Sequence, residues 1–280
     1  MAVKQLIKHL TPTPILRTYQ NMRAIPYAAQ RLWDDGEPEA RLLPALCDPT
    51  RAAVDVGANV GAYSWHMRRY ARLCHMFEPN PDLAAKLAIG FALRGGVRLH
   101  RVALSDQPGT AVLRLPHLGA EELIGLATID TGNTLAGLAV REIPVPLRRL
   151  DDIKLGDVGF MKIDVEGHEL AVLRGATALL RASRPNLLIE AQERHRPNAV
   201  HGLAAFLAPF GYSGCFLHDG ALHDIATFDP AIHQHPDSLD GLSNLRPDHF
   251  HVANFIFGVD MAALRPRLEQ LLEATLPPSH

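Results

Sequence analysis

AspValGlyAlaAsnValGly, residues 55–61, follows the apolar run AlaAlaVal at 52–54 and precedes AlaTyrSerTrpHisMetArgArgTyrAla at 62–71. A β-branched run ending in glycine and followed by helical spacing reads as a strand, a tight turn and a helix N-terminus. There, free backbone amides and the positive end of the helix dipole meet a ligand. The fingerprint G-x-G-x-x-G is not met, because Asn59 stands two places after Gly57 and the next glycine, Gly61, is four along. That counts against a nucleotide-dependent oxidoreductase on a related sheet. A glycine turn of this kind also occurs as plain structure. Glu78 adds weight: it closes the next apolar run, LeuCysHisMetPheGlu at 73–78, about 20 residues on, where an acid accepts both ribose hydroxyls.

Outward from this turn, apolar runs alternate with helical stretches. ProAspLeuAlaAlaLysLeuAlaIleGlyPheAlaLeu (81–93) predicts a helix and ValArgLeuHisArgValAlaLeu (97–104) a third strand. PheMetLysIleAspVal (160–165), a helix over about 168–181, LeuLeuIleGluAla (187–191), a helix around 203–208 and ValAlaAsnPheIlePheGlyVal (252–259) complete the pattern. Strands separated by helices of this length predict an α/β, doubly wound, largely parallel sheet. Residues 108–146 interrupt it with two extended pieces around a glycine-containing loop. Residues 218–250, rich in His, Asp and Pro, read as a substrate lid.

The flanks differ from this core. No acid precedes Asp34, whereas Lys4, Lys8, Arg17, Arg23 and Arg31 do, so residues 1–45 read as a basic helical arm ahead of a domain at 46–280. Pro12, Pro14 and Pro26 are expected to cut the arm into short pieces, and residues 3–10 have the spacing of a small amphipathic helix. Packing across the domain or a neighbouring subunit is preferred for the arm over contact with a membrane surface through residues 1–33. The formal net charge of −2 gives no footprint for a nucleic-acid partner. Cys47, Cys74 and Cys215 form no paired motif, no secretory signal is read at residues 1–10, and a cytoplasmic setting is expected.

The glycine turn, Glu78 with Pro79, AlaLeuSerAsp at 103–106, Leu150 with Asp151, and LysIleAspValGluGly at 162–167 occur in one order. Together they resemble the FkbM-type family of S-adenosylmethionine-dependent methyltransferases over about residues 52–195. The resemblance implies a class I methyltransferase (Rossmann-like) sheet of seven strands, the last antiparallel. It also implies S-adenosylmethionine as cofactor and O-methylation of a sugar, glycan or glycosylated natural product. On this reading Asp55, Gly57, Asn59, Gly61, Glu78, Ser105, Asp106 and Asp164 hold the cofactor. A catalytically silent module that keeps the cofactor fold is the remaining alternative.

Methyl transfer to an alcohol needs the acceptor oxygen in line with the sulfur–methyl bond, and a base for its proton. In open α/β sheets the ligand lies beyond the carboxyl ends of the strands, which sets Asp164, Glu166 and His168 at the mouth and Lys162 deeper, as an ion-pair partner. His168 is the first choice of base, on its unperturbed pKa, with Asp164, Glu166 or Glu190 orienting or replacing it and His195 weaker. The acids at 164 and 166 serve equally well as helix-start caps. A magnesium ion on Asp164 and neighbouring carboxylates is not favoured. A metal site among His218, His223, His233, His235, His249 and His251 is favoured less, for want of regular ligand spacing. No metal site is therefore assigned.

Overall fold

The structure is a computed structural model that describes residues 13–133, 135, 137–240, 245–247 and 249–275. Its strands are β1 (Ala52–Val56), β2 (Leu73–Phe77), β3 (Val97–His100), β4 (Ala103–Leu104), β5 (Gly109–Leu118), β6 (Glu121–Glu122), β7 (Ala139–Arg148), β8 (Val158–Ile163), β9 (Asn186–Glu190), β10 (Ser213–His218), β11 (Ala221–Asp224) and β12 (Asn254–Gly258). The main sheet runs β11-β10-β12-β9-β8-β1-β2-β3. Strands β3, β2, β1, β8 and β9 are parallel, and β12 is antiparallel to both β9 and β10. This is the expected class I methyltransferase sheet with its last strand reversed, and β11 adds an eighth, edge strand by hairpin to β10. The hairpin uses Asp219 and Gly220, both at positive φ, inside the segment read as a lid.

β1 and β8 are buried along their whole length, which follows from helices on both faces of a parallel sheet. One core lies around Val54, Phe77, Met161, Ile189 and Phe255, and the other around Met67, Met76, Phe160, Leu188 and Ile256. Their alternation along β1, β2, β8 and β9 is the period-2 pattern of a strand with two apolar faces. The second core also takes Ala40, Leu42, Leu43 and Leu46, together with Leu264, Leu268 and Leu272 of the helix Met261–Thr275. The chain is therefore packed continuously across the boundary expected at residue 45, and the C-terminal helix is an element the sequence reading lacked.

Three sequence expectations need correction, the first being the helix over about 168–181, which is two, Glu169–Arg174 and Thr177–Ser183. Pro26 does not cut the arm: the helix Thr13–Asp35 runs through it. An internal proline costs about 3 kcal/mol, and tertiary contacts offset it. Ile25 and Ala29 are buried, His66 Nε2 lies 2.9 Å from the Ala29 carbonyl oxygen, and Trp33 stacks on His66 at 4.7 Å. The amphipathic stretch at 3–10 lies outside the described residues. Residues 97–104 are not one strand either, because β3 ends at His100 and β4 leaves to pair with β7 in a second sheet, β4-β7-β5-β6. The extended pieces at 108–146 are its long hairpin, β5 against β7. No described helix is long and apolar enough to cross a membrane.

Candidate active site

The turn after β1 is shaped by close approach. Gly57 and Gly61 have φ of +81° and +80°, and Asn59 +49°. A Cβ on Gly57 would lie 1.9 Å from the Asp164 carbonyl oxygen, so this backbone is pressed onto the end of β8. Glu78, at the end of β2, binds the turn directly: Asn59 N donates to its Oε2 at 2.7 Å, and Asn80 N to its Oε1 at 2.8 Å. Burial pushes the Glu78 carboxyl up to about 7, against the pull of those two amides. Asn59 Oδ1 is buried without a hydrogen-bond partner among the described residues.

Acids gather at the ends of β8 and β9. Lys162 is buried; its Nζ donates to Asp164 Oδ2 at 2.8 Å and sits 4.5 Å from the centre of the Tyr63 ring. Burial opposes the ammonium, but Asp164, Glu37, Asp55 and Glu190 outweigh it and hold Lys162 above its usual range. Oxygen atoms of Asp164, Glu166 and Glu190 all lie within 4.8 Å of one another. Glu166 has φ +53°, and its carbonyl accepts from Thr128 Oγ1 at 2.9 Å and Asn133 Nδ2 at 3.1 Å. Burial, then neighbouring carboxylates, hold Glu166 and Glu190 well above the ordinary range. Three carboxylates at this spacing suit either a hard divalent cation or the positive centre of an organic ligand.

Both features line one cavity of about 550 Å³. Its floor carries Gly57, Asn59, Glu78, Asp164, Glu166 and Glu190. Leu83, Leu113, Ile124 and Ile129 form an apolar wall toward the second sheet, and Gln192, Arg194, His251, Leu239 and Leu245 stand at another side. Among the described residues of the segment read as a lid, only Leu239 and Leu245, bridged to each other, reach the wall. His233 is instead buried against Phe216 and Phe228.

Asp55, Gly61, Ser105, Asp106, His168 and His195, six of the expected site residues, are off that wall. β4 carries Ser105 and Asp106 aside with the second sheet, and His168 faces them: its Nε2 is 2.9 Å from Ser105 Oγ and its Nδ1 3.7 Å from Asp130 Oδ2. Burial holds His168 below its ordinary pKa. Asp55 is buried within β1, where Ser64 Oγ donates to its Oδ2. His195 Nε2 stands 3.2 Å from Glu166 Oε2, behind the acids. Glu37, Gln192 and Arg194 are wall residues that the sequence reading passed over. Gln192 and Arg194 carried a signal, lying two and four places beyond Glu190 at a strand's carboxyl end.

The FkbM methyltransferase domain matches residues 55–213, more than half of the chain, and the chain belongs to that family. It is 32% identical over 154 residues to the methyltransferase sdnD of Sordaria araneosa, covering 44% of this chain and 59% of that protein. It is 29% identical over 150 residues to the hexuronic acid methyltransferase AglP of Haloferax volcanii, covering 51% of this chain and 56% of the relative. The chain thus spans a little over half the length of these curated relatives. A crystal structure of an FkbM methyltransferase from Methylobacillus flagellatus is 18% identical, with a TM-score of 0.48, covering 85% of this chain and 59% of that one.

Proposed function

We propose that this chain transfers a methyl group from S-adenosylmethionine to an oxygen of a sugar, glycan or glycosylated small molecule. The observation that carries the proposal is a single cavity in which the Asn59–Glu78 pair faces the carboxylates at 164, 166 and 190. The cofactor suits the residues present. Asn59 Oδ1 lacks a partner among the described residues, and the volume lies in the usual range for a small-molecule site.

When bound, S-adenosylmethionine supplies an electrophilic methyl group on a sulfonium. Glu78 would accept from the ribose hydroxyls, and Leu83, Leu113 and Ile129 would cover the faces of the adenine ring. Asp164, fixed by Lys162, would stand near the positive sulfur. Glu190, beside Asp164 and Glu166 on the cavity wall, takes the acceptor proton as its carboxylate. Gln192 Nε2 donates to Glu190 Oε1 at 2.8 Å and orients it. Ser105, Asp106 and His168 take no direct part. Gln192, Arg194 and His251 line the acceptor end, with Leu239 and Leu245 closing over it. A glycan acceptor draws its support from the hexuronic acid methyltransferase among the relatives.

Glu78→Ala should weaken binding of S-adenosylhomocysteine by about tenfold or more, the loss of charge-assisted hydrogen bonds. Calorimetry checks it, and unchanged affinity would remove Glu78 from the site. For the wild type, S-adenosylhomocysteine and not NAD should raise the melting temperature, and labelled donor should mark a uronic acid or neutral sugar in a panel of acceptors.

A further inference from the structure

Glu37 precedes the matched domain, yet its side chain lines the same cavity as Gly57, Asp164 and Glu190. It is held there by two buried donors from distant parts of the chain. Tyr63 O–H donates to Glu37 Oε2 at 2.6 Å from the helix after the glycine turn, and Asn254 Nδ2 donates to the same oxygen at 2.9 Å from β12. Tyr63 is 7% and Asn254 5% exposed, so the mount is rigid. Oε1 makes no hydrogen bond among the described residues. A carboxylate with one oxygen fixed by two donors and the other unbonded on a cavity wall is arranged to accept from a ligand.

The charge around it selects that ligand. Glu37 shares the cavity with Glu78, Asp164, Glu166 and Glu190, while the buried Lys162 is already paired to Asp164. Its partner Tyr63 packs against Lys162 of β8, the strand that leads into Asp164. An ammonium group placed at Glu37 Oε1 gains an unbonded carboxylate oxygen, whereas a phosphate or carboxylate at that atom would meet like charge, and Arg194 on the same cavity offers an anion its partner.

We infer that Glu37 Oε1 accepts from the α-ammonium of the methionyl end of the cofactor, making residues ahead of the family domain part of the binding site. The inference rests on the methyl-transfer reading above. Its test compares two ligands by calorimetry: S-adenosylhomocysteine, which has the amino-acid end, and 5′-methylthioadenosine, which lacks it.

Glu37→Gln keeps an oxygen for Tyr63 and Asn254 but turns an amide toward the cavity. It should weaken S-adenosylhomocysteine by about tenfold while leaving 5′-methylthioadenosine within about twofold, whereas Glu78→Ala weakens both. Glu37→Asp, a shortened carboxylate, should recover part of the loss, and thermal melts identify any variant that fails to fold. Equal weakening of both ligands by Glu37→Gln, or of neither, overturns the inference. A wild-type chain that binds neither compound overturns the methyl-transfer reading, and this inference with it.

Discussion

Backbone conformation at one residue, Gly57, decides whether the cavity has a floor. Its φ of +81° is strained for any L side chain, and its Cβ position is filled by the Asp164 carbonyl oxygen, so neither rotation nor a small shift relieves the clash. Gly57→Ala should cost about 2 kcal/mol or more and part β1 from β8. Gly125, on the same cavity wall, has nothing within 4 Å of its Cβ position, and Gly125→Ala should leave the melting temperature unchanged. Equal melting of the two variants would contradict the close approach. Gly57 and Glu78 were legible in sequence because a strand-turn-helix and the next strand's end stand at fixed spacing. Glu37 was not: its partners are 26 and 217 residues away, and no local pattern joins them.

Among the elements, the second sheet ties down Glu166, and it was only half legible. Two extended pieces with a glycine loop were readable at 108–146, but their docking was not, because it depends on single polar side chains in that loop. Thr128 and Asn133 both donate to the Glu166 carbonyl, and the Arg114 guanidinium from β5 donates to the Asn133 and Asp130 carbonyls. These bonds hold Glu166 at positive φ beside Asp164 and Glu190. Thr128 is 1% exposed, so its loss leaves a buried carbonyl short of a partner, at about 1–3 kcal/mol. The double variant Thr128→Val, Asn133→Leu should therefore lower kcat by about tenfold or more while calorimetric affinity for S-adenosylhomocysteine stays within about threefold. A matching loss of affinity and rate would mean that the sheet supports the cofactor end instead. The same topology explains why Ser105, Asp106 and His168 stand off the cavity wall. Residues 97–104 look like one strand, and nothing local marks the step at Arg101 and Val102 that carries the following residues out of the main sheet.

Across the whole molecule, burial sets two groups of side chains against each other. Glu39 is pushed up to about 8, Glu78 and Glu169 to about 7, and Asp55, Glu166 and Glu190 are also raised, each chiefly by burial. An acid raised in the folded state keeps its proton where the unfolded chain has lost it, so stability falls as pH rises from its unfolded value through its folded one. Burial depresses His66, His75, His100, His168, His195 and His251, three of them to about 4. A histidine lowered in the folded state has the opposite effect, and stability falls as pH drops below its unfolded value near 6.5. Between about pH 5 and 6.5 the two groups oppose each other, and above 6.5 only the acids still act. The protein without ligand should melt at nearly constant temperature over about pH 5 to 6.5 and at falling temperature from about 6.5 to 8.5. Glu39→Gln, which removes a buried acid that does not line the cavity, should flatten the alkaline decline. S-adenosylmethionine, whose positive charge favours the ionised acids, should raise the melting temperature more at pH 8.5 than at 6.5. Melting curves across this range decide the matter. A temperature that rises from pH 6.5 to 8.5 would mean that the acids are ionised and paired in the folded chain, with the cavity already balanced in charge before any ligand arrives.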